Sequence, residues 1–221
     1  MAKKFLSTLT LLILAALPAA AQQWTIGVGA GPFVFGKFAT RTLRAGNEQP
    51  GGPVTRLKLS AATRPGGAVD LQRDFNDRFA LRLQTTFTRA PLQVQPESGG
   101  GVSLGAGHVD VTTIGLPLLI NLNPHGRLRV HIKGGPAYAV YHIERESPIS
   151  ASPFVGTRSR FGAMAGAGLI WWWSSRFAVE GEVLDIVTSS PLRKSDFIGP
   201  ASVSIPRSQN EHATIGVRVR L

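Results

Sequence analysis

The sequence predicts an all-β fold, an eight-stranded antiparallel up-and-down transmembrane β-barrel. Three observations predict it. Apolar and polar residues alternate along most of the chain, which is the pattern of strands with one apolar face. The connections between the alternating runs are long and short in turn, as in a barrel with long loops at one end and tight turns at the other. After the N-terminal segment, no run approaches the ~20 apolar residues of a membrane-spanning helix, so strands would make any crossing.

The N-terminus has the pattern of an export signal. Two lysines precede a mainly apolar segment, residues 5–17, and three alanines, residues 19–21, offer a small-residue cleavage site. A retained anchor helix is the alternative, but the apolar segment is short and runs directly into the cleavage site. We therefore expect a cleaved signal peptide over residues 1–21 and one barrel domain over residues 22–221.

The composition excludes several classes of protein. The chain has no cysteine, which excludes a disulfide framework and a thiol-ligated metal site. Its 25 glycines and 15 prolines argue against a helical domain. The formal net charge of +11 is of the kind that attracts phosphate groups. For an exported chain, the first phosphates encountered belong to lipopolysaccharide rather than to nucleic acid, so we expect no nucleic-acid partner.

The first three strands follow from alternation interrupted by turn residues. The first runs from Trp24 to about Phe38, and a loop rich in glycine, proline and arginine follows it. The second covers residues 56–72 with its apolar side chains on one face throughout, and Pro65-Gly66-Gly67 predicts a bend or bulge within it. The third covers residues 79–88, after a tight turn.

A parity change marks the fourth strand, residues 109–122. Its apolar positions change from odd to even numbers near Thr112-Thr113, which predicts a β-bulge. The fifth strand begins at Arg127 after the turn Asn123-Pro124-His125-Gly126 and alternates to Tyr138. The connections between these strands keep the long and short rhythm.

The last three strands alternate most clearly. The sixth runs from Phe161 to Trp173, two serines turn it into the seventh at Phe177, and a long loop, residues 189–210, leads to the closing strand. This closing strand has one apolar face, formed by Ala213, Ile215, Val217, Val219 and Leu221. In lipid, a terminal strand leaves an open edge unless it pairs with the first strand, so we expect it to close the barrel.

The closing strand resembles that of the small outer-membrane β-barrel family of OmpA/OmpX type, although Leu221 stands where that family usually has phenylalanine. Other segments with this resemblance are Ile114-Gly115-Leu116-Pro117, Gly134-Gly135-Pro136-Ala137-Tyr138 and Gly166-Ala167-Gly168-Leu169. The resemblance implies a monomer in the cell outer membrane, with long extracellular loops and both termini in the periplasm. It also implies that the barrel-assembly machinery reads the closing strand, with Ile215, Val217, Val219 and Leu221 as its signal.

Alternation does not say which face points outward, because a soluble lipocalin-like barrel also has one apolar face. Two features favour an apolar outer face. The polar face is rich in glycine, which suits a narrow interior. Trp171 and Trp173 lie beside a short turn, where a membrane-interface aromatic girdle belongs. A soluble periplasmic barrel or sandwich is the alternative.

The polar face carries charged side chains that we place in the lumen. They are Arg56, Lys58, Asp70, Arg82, Arg129, Lys133, Glu180, Glu182, Arg218 and Arg220. We expect Glu180 and Glu182 to pair with Arg218 and Arg220 on the neighbouring strand and to plug the lumen. The alternative is a narrow anion-preferring pore, since with Arg64 included the predicted interior has eight positive and three negative charges, a balance of +5.

No motif predicts an enzyme, a cofactor or a metal site. A lipid A-modifying barrel enzyme is a further alternative, and it would need a nucleophilic serine beside a histidine and an orienting acid. His142 and Glu144 are the pair least unlike such a site, but the five histidines have no serine at the expected position. The sequence thus favours a structural or surface-interaction protein whose loops contact lipopolysaccharide or an unidentified external partner.

Overall fold

The structure is a computed structural model that describes residues 23–44, 54–96, 104–144, 155–197 and 202–221. The predicted signal peptide lies outside these ranges. The described chain consists almost entirely of strands, and their bounds are β1 (Gln23–Phe35), β2 (Lys37–Arg44), β3 (Val54–Ala61), β4 (Arg64–Asp74), β5 (Phe79–Pro96), β6 (Leu104–Gly115), β7 (Leu118–Asn121), β8 (Leu128–Glu144), β9 (Gly156–Trp172), β10 (Phe177–Ser189), β11 (Ser202–Ser204) and β12 (Arg207–Arg220).

Eight strands form a closed ring in the order β1, β4, β5, β6, β8, β9, β10 and β12, and every neighbouring pair is antiparallel. The ring closes because β12 pairs with β1 from Thr25↔Arg220 to Phe35↔Asn210. β2, β3 and β7 continue β1, β4 and β6 along the barrel wall, and β11 pairs with β2. The predicted fold class and the closing role of the last strand are confirmed. Short turns at residues 75–78, 122–127 and 173–176 connect strands at one end of the barrel, which we call the turn end. We call the opposite end the loop end.

The second predicted strand is wrong in one respect. It is divided at residues 62–63 into β3 and β4, and the two parts bury opposite parities. Leu59 and Ala61 point into the barrel, whereas Val69 and Leu71 are exposed outside. The interruption offsets the alternation by one residue, so an apolar face that looks continuous in the sequence changes sides. Arg56 is consequently exposed rather than luminal.

The predicted bulge at Thr112-Thr113 is also wrong. β6 pairs with β8 without a shift from His108↔Glu144 to Gly115↔Ala137. Val109, Val111 and Thr113 are all buried on the inner face. The apolar parity changes because the interior changes from apolar to polar along the barrel axis, while the strand keeps the same side inward.

A break does occur later in this wall, at Leu116-Pro117, between β6 and β7. Proline has no N–H to donate to a neighbouring strand. The flanking backbone groups remain bonded, since Leu116 N–H donates to the Pro136 carbonyl and Arg82 N–H donates to the Pro117 carbonyl. The wall is therefore continuous across the proline.

The outer surface carries a belt of exposed apolar side chains, as the alternation predicts. It includes Trp24, Ile26, Val28, Val69, Leu71, Leu83, Phe87, Ile114, Leu116, Leu169, Val183, Ile215, Val217 and Leu221. Near the turn end, Trp171, Trp173 and Phe177 pack side by side, with the Trp173 and Phe177 rings stacked at 6.2 Å between centroids. An apolar belt of this extent is the surface that lipid would cover.

Within the described ranges, no helix has the length and apolar character needed to cross a membrane.

Arginine on the belt tests this orientation. We expect Leu83→Arg to lower the free energy of unfolding in lipid vesicles by ~2–4 kcal/mol, because it places a charge on the lipid face near the middle of the wall. Leu83→Ala is the matched control, since it removes the same side chain without adding charge. Equal stability of the arginine and alanine variants in urea titrations would contradict the outward orientation of Leu83.

Candidate functional site

The lumen contains a compact layer of ion pairs centred on Arg82. Its guanidinium is fully buried and lies 2.8 Å from Glu180 Oε1 and 2.8 Å from Glu182 Oε2. It also donates hydrogen bonds to Gln72 Oε1 from Nε at 3.1 Å and from Nη2 at 2.8 Å. Arg82 is on β5 and both glutamates are on β10, so these contacts cross the lumen rather than joining neighbouring strands.

Arg218 and Lys133 complete this layer from β12 and β8. Arg218 lies 2.5 Å from Glu180 Oε2 and 2.6 Å from Asp70 Oδ1, and Lys133 Nζ lies 2.6 Å from Glu182 Oε1. Lys133 also donates to Gln84 Oε1. We call Asp70, Arg82, Lys133, Glu180, Glu182 and Arg218 the ion-pair layer. All six are buried.

The charges within this layer cancel, with three cations facing three carboxylates. The predicted balance of +5 is therefore wrong for the closed part of the lumen. Arg56 and Arg64 are exposed, Lys58 is half-buried on β3 and is not a member of the layer, and Arg129 and Arg220 lie closer to the turn end. The predicted pairing of Glu180 with Arg218 is confirmed. Glu182 pairs with Arg82 and Lys133 instead of Arg220.

Very little space remains inside the layer. The cavity beside Asp70, Gln84, Glu180 and Glu182 has a volume of about 10 Å³. A single water molecule needs about that much. Below it, Ile170, Trp172 and Ala178 form a small apolar cluster that separates the ion pairs from the turn end.

Two carboxylates of the layer and the neighbouring His131 lie close enough together to hold a metal ion. His131 Nε2 lies 3.5 Å from Glu180 Oε1 and 3.6 Å from Glu182 Oε2, and the three groups are buried together. Both carboxylates, however, are already bound by cations of the layer, namely Arg82, Arg218 and Lys133. We therefore interpret Glu180 and Glu182 as members of the ion-pair layer rather than as metal ligands, with His131 as a buried neighbour of that layer. The sequence expectation of no metal and no cofactor remains a prediction.

Above the ion pairs, towards the loop end, the lumen is filled by an apolar cluster that the sequence analysis did not identify. Its largest fully buried members are Phe33, Phe38, Leu92, Tyr141, Ile143, Leu184 and Ile186. The rings of Phe33 and His212 lie 4.6 Å apart between centroids, and those of Phe38 and Tyr141 lie 6.1 Å apart in an edge-to-face arrangement. Tyr141 Oη also lies 2.8 Å from Thr188 Oγ1. We call this cluster the apolar layer.

A short segment, residues 190–197, lies over the apolar layer, and we call it the strap. Leu192 is buried within the apolar cluster, and Ser190 Oγ donates to the Phe38 carbonyl at 2.8 Å. Arg158 binds both carboxylate oxygens of Asp196, at 2.7 Å for the Nη2–Oδ1 contact. Arg160 Nε donates to the Ser190 carbonyl at 2.7 Å. Two arginines of β9 thus fix the strap to the barrel.

The contact between Asp196 and Arg158 depends on the negative charge of the Asp196 carboxylate. Its burial would raise its pKa, but hydrogen bonds from Arg158 and the Arg193 N–H, together with the charges of both arginines, hold the pKa below its usual range. The contact therefore stabilises the strap above the ordinary aspartate pKa of ~3.9 and is lost only as the pH falls through the lower folded-state value.

His142 and Glu144, the pair considered for an enzyme, lie near the loop end on the outer face. His142 Nε2 is 3.4 Å from Glu144 Oε1, and His142 Nδ1 is 2.8 Å from Thr157 Oγ1. Glu144 also forms an ion pair with Arg89, whose Nη2 lies 2.7 Å from Glu144 Oε2. The side chains are half-exposed, and the acid that would orient the histidine is engaged by an arginine. We interpret the group as a surface ion-pair network, and the absence of enzyme activity remains a prediction.

Comparison with known proteins identifies the fold. No protein-family model matches the chain, and no curated protein matches its sequence. Solved structures match over nearly the whole chain. The outer membrane protein OprG from Pseudomonas aeruginosa is 12% identical, with a TM-score of 0.64 over 91% of this chain and 96% of its own. Outer membrane protein AlkL, determined in lipid bilayers, is 12% identical, with a TM-score of 0.59 over 93% of both chains.

A major outer membrane protein from Thermus thermophilus is also similar, with 11% identity and a TM-score of 0.53 over 91% of this chain and 100% of its own. The fold is that of the small outer-membrane β-barrels. In this fold the outward face of the wall meets lipid and the lumen is enclosed by the strands. The ion-pair layer, the apolar layer and the strap are therefore side-chain and backbone fillings of a membrane barrel, and they define the candidate functional region.

Proposed function

We propose that the chain is an outer-membrane β-barrel with a closed lumen, which has a structural or surface-interaction role at the loop end. The observation that supports this is the filling of the lumen. The ion-pair layer is buried and charge-balanced, and the apolar layer and the strap lie above it. An eight-stranded barrel has an interior that side chains can fill. Here charged side chains fill one level of the lumen and apolar side chains fill the level above it.

The proposed location follows from the fold and the lipid belt. In outer-membrane barrels, short turns and both termini lie on the periplasmic side and long loops lie outside. Here the turn end is the periplasmic end, and the strap lies on the external side. Export through a cleaved signal peptide and insertion by the barrel-assembly machinery, with Ile215, Val217, Val219 and Leu221 as its signal, belong to the same proposal. So does a monomeric state.

Lipopolysaccharide is the partner that the charge of the loop end favours. Exposed basic side chains at or near this end include Arg56, Arg64, Arg89, Arg193, Lys194 and Arg207. Guanidinium groups form charge-assisted hydrogen bonds with phosphate oxygens, and the lipid A headgroup presents such phosphates at this height of the membrane. A contact of this kind uses the outer surface and leaves the lumen closed.

Current measurements test the closed lumen. We expect the full chain, inserted into a planar lipid bilayer, to give no stepwise currents at moderate voltage, because ions would have to cross both buried layers. A wide porin in the same bilayer serves as the positive control, since its interior is an aqueous channel. Reproducible channels would overturn the proposal, and a preference of those channels for anions would support the narrow pore instead.

A further inference from the structure

A second polar feature lies at the turn end of the lumen, below Ile170 and Trp172. It is a cavity of about 290 Å³, and its lining includes Gly126, Arg127, Arg129, Trp172, Ser174 and Arg220. Three arginines therefore converge on one cavity. Arg129 and Arg220 were predicted to belong to the luminal ion pairs, but the structure places them here instead.

These arginines form no ion pair among the described residues, although the charge of Asp74 acts on Arg220 from a longer distance. No carboxylate forms an ion pair within 4.0 Å of Arg127, Arg129 or Arg220, in contrast to Arg82 and Arg218 in the layer above. Arg220 stacks on the Trp172 ring at 4.1 Å and donates to the Ser175 carbonyl at 3.2 Å. Like charges gathered at one cavity repel each other, and an anion between them would remove that repulsion.

Buried donors at the cavity also lack acceptors. The Trp172 indole Nε1–H, Arg129 Nε and Arg220 Nε are inaccessible to solvent and have no hydrogen-bond partner. Trp172 as a whole is only 8% exposed. Burying a donor without an acceptor is unfavourable, so small side-chain shifts that bring these closed donors to an acceptor in the cavity would be favoured.

We propose that this cavity is a binding site for a phosphate group. Guanidinium forks match the spacing of phosphate oxygens, and the indole N–H supplies a further donor. The lining residues support this site by themselves, and only its description as periplasmic rests on the proposed function. Two sources could supply the phosphate group, a lipid headgroup or free phosphate. Trp173, exposed on the lipid side, also lines the cavity and lies in the aromatic girdle, so a phospholipid headgroup reaches this height. Free phosphate would enter from the aqueous side.

Calorimetric titration of the full chain, folded in zwitterionic detergent at low salt, tests the site. The probes are dihexanoyl phosphatidylglycerol, dihexanoyl phosphatidylcholine and inorganic phosphate. We expect saturable binding of phosphatidylglycerol, and about tenfold or greater loss of affinity in Arg129→Gln/Arg220→Gln, because charge-assisted hydrogen bonds are lost. Arg78→Gln is the matched control, since Arg78 is exposed at the same end but does not line the cavity.

The outcomes separate the two sources. Binding of phosphatidylglycerol alone, with loss in the double variant, supports the lipid headgroup. Binding of inorganic phosphate with the same loss supports free phosphate. If neither phosphatidylglycerol nor inorganic phosphate binds saturably, or if Arg78→Gln weakens binding as much as the double variant, the phosphate site is excluded. Gel mobility of unheated samples checks whether each variant is folded. If the double variant does not fold, Trp172→Phe takes its place, because it keeps an aromatic ring but removes the N–H donor. A silent or conducting lumen does not affect this result.

Discussion

Arg82→Met is expected to lower the free energy of unfolding by ~3–5 kcal/mol. The substitution keeps an unbranched side chain but removes the guanidinium group and its charge, so the carboxylates of Asp70, Glu180 and Glu182 would be left with only Arg218 and Lys133. Breaking a buried ion pair by removing one partner is costly because the remaining charge stays buried without compensation. Urea unfolding of the barrel in lipid vesicles, followed by tryptophan fluorescence, measures the difference.

A second substitution distinguishes charge balance from simple loss of packing. In Arg82→Met/Glu180→Gln, the pairs Asp70–Arg218 and Glu182–Lys133 both remain, and the net charge of the layer returns to zero. We expect this double variant to be more stable than Arg82→Met alone. A double variant that is less stable than the single one would show that packing, rather than uncompensated charge, dominates the loss.

The matched surface control is Arg89→Met. Arg89 lies 2.7 Å from Glu144, but their side chains are 58% and 46% exposed. Water and salt screen such a pair, so its removal is expected to cost less than ~1 kcal/mol. If Arg89→Met were as destabilising as Arg82→Met, burial could not be the reason for the strength of the luminal ion pairs.

The sequence predicted the wall of the barrel well because strand alternation is a local signal. Ile215, Val217 and Leu221 are exposed on the outer face, and Arg218 is buried on the inner face, as the closing strand predicted. The girdle position of Trp171 and Trp173 beside a turn is likewise local. Each of these statements needs only the parity of a residue and its distance from a turn.

The contents of the lumen could not be predicted in the same way. Arg82 and Glu180 are 98 residues apart and lie on strands that are not neighbours, so their contact depends on the closure and register of the whole ring. Parity places Arg218 and Arg220 on the same face but does not give their height. Arg218 joins the ion pairs, whereas Arg220 reaches the cavity at the turn end.

The apolar layer was missed for a related reason. We assumed that the apolar face of every strand points to lipid, and Val109 and Val111 contradict this because they point inward. A change of apolar parity within a strand has two explanations, a bulge or a change in the chemistry of the interior. The change at Thr112-Thr113 is of the second kind, and unshifted pairing with β8 decides between them. Several strands that change parity at the same height would have been the signal to look for.

Phe33→Ala is expected to lower the free energy of unfolding by ~3–5 kcal/mol, because truncating a fully buried phenylalanine removes its apolar contacts and leaves a cavity among Phe35, His212 and their neighbours. Phe161→Ala is the matched control. Phe161 is 81% exposed on the outer face, so lipid fills the space that it leaves and the cavity contribution is absent. Equal losses in the two variants would contradict the assignment of Phe33 to a packed luminal layer.

The same variant tests whether the two layers close the lumen in series. Phe33→Ala opens space only above the ion pairs, where Arg82 and its partners remain buried and charge-balanced, so we expect its folded form to stay silent in planar bilayers. The Arg82→Met/Glu180→Gln variant should also be silent, because the apolar layer above it is intact. Ions must cross both layers, and neither substitution removes more than part of one. Stepwise currents from either folded variant would show that a single layer closes the barrel, and the variant that conducts would identify which one.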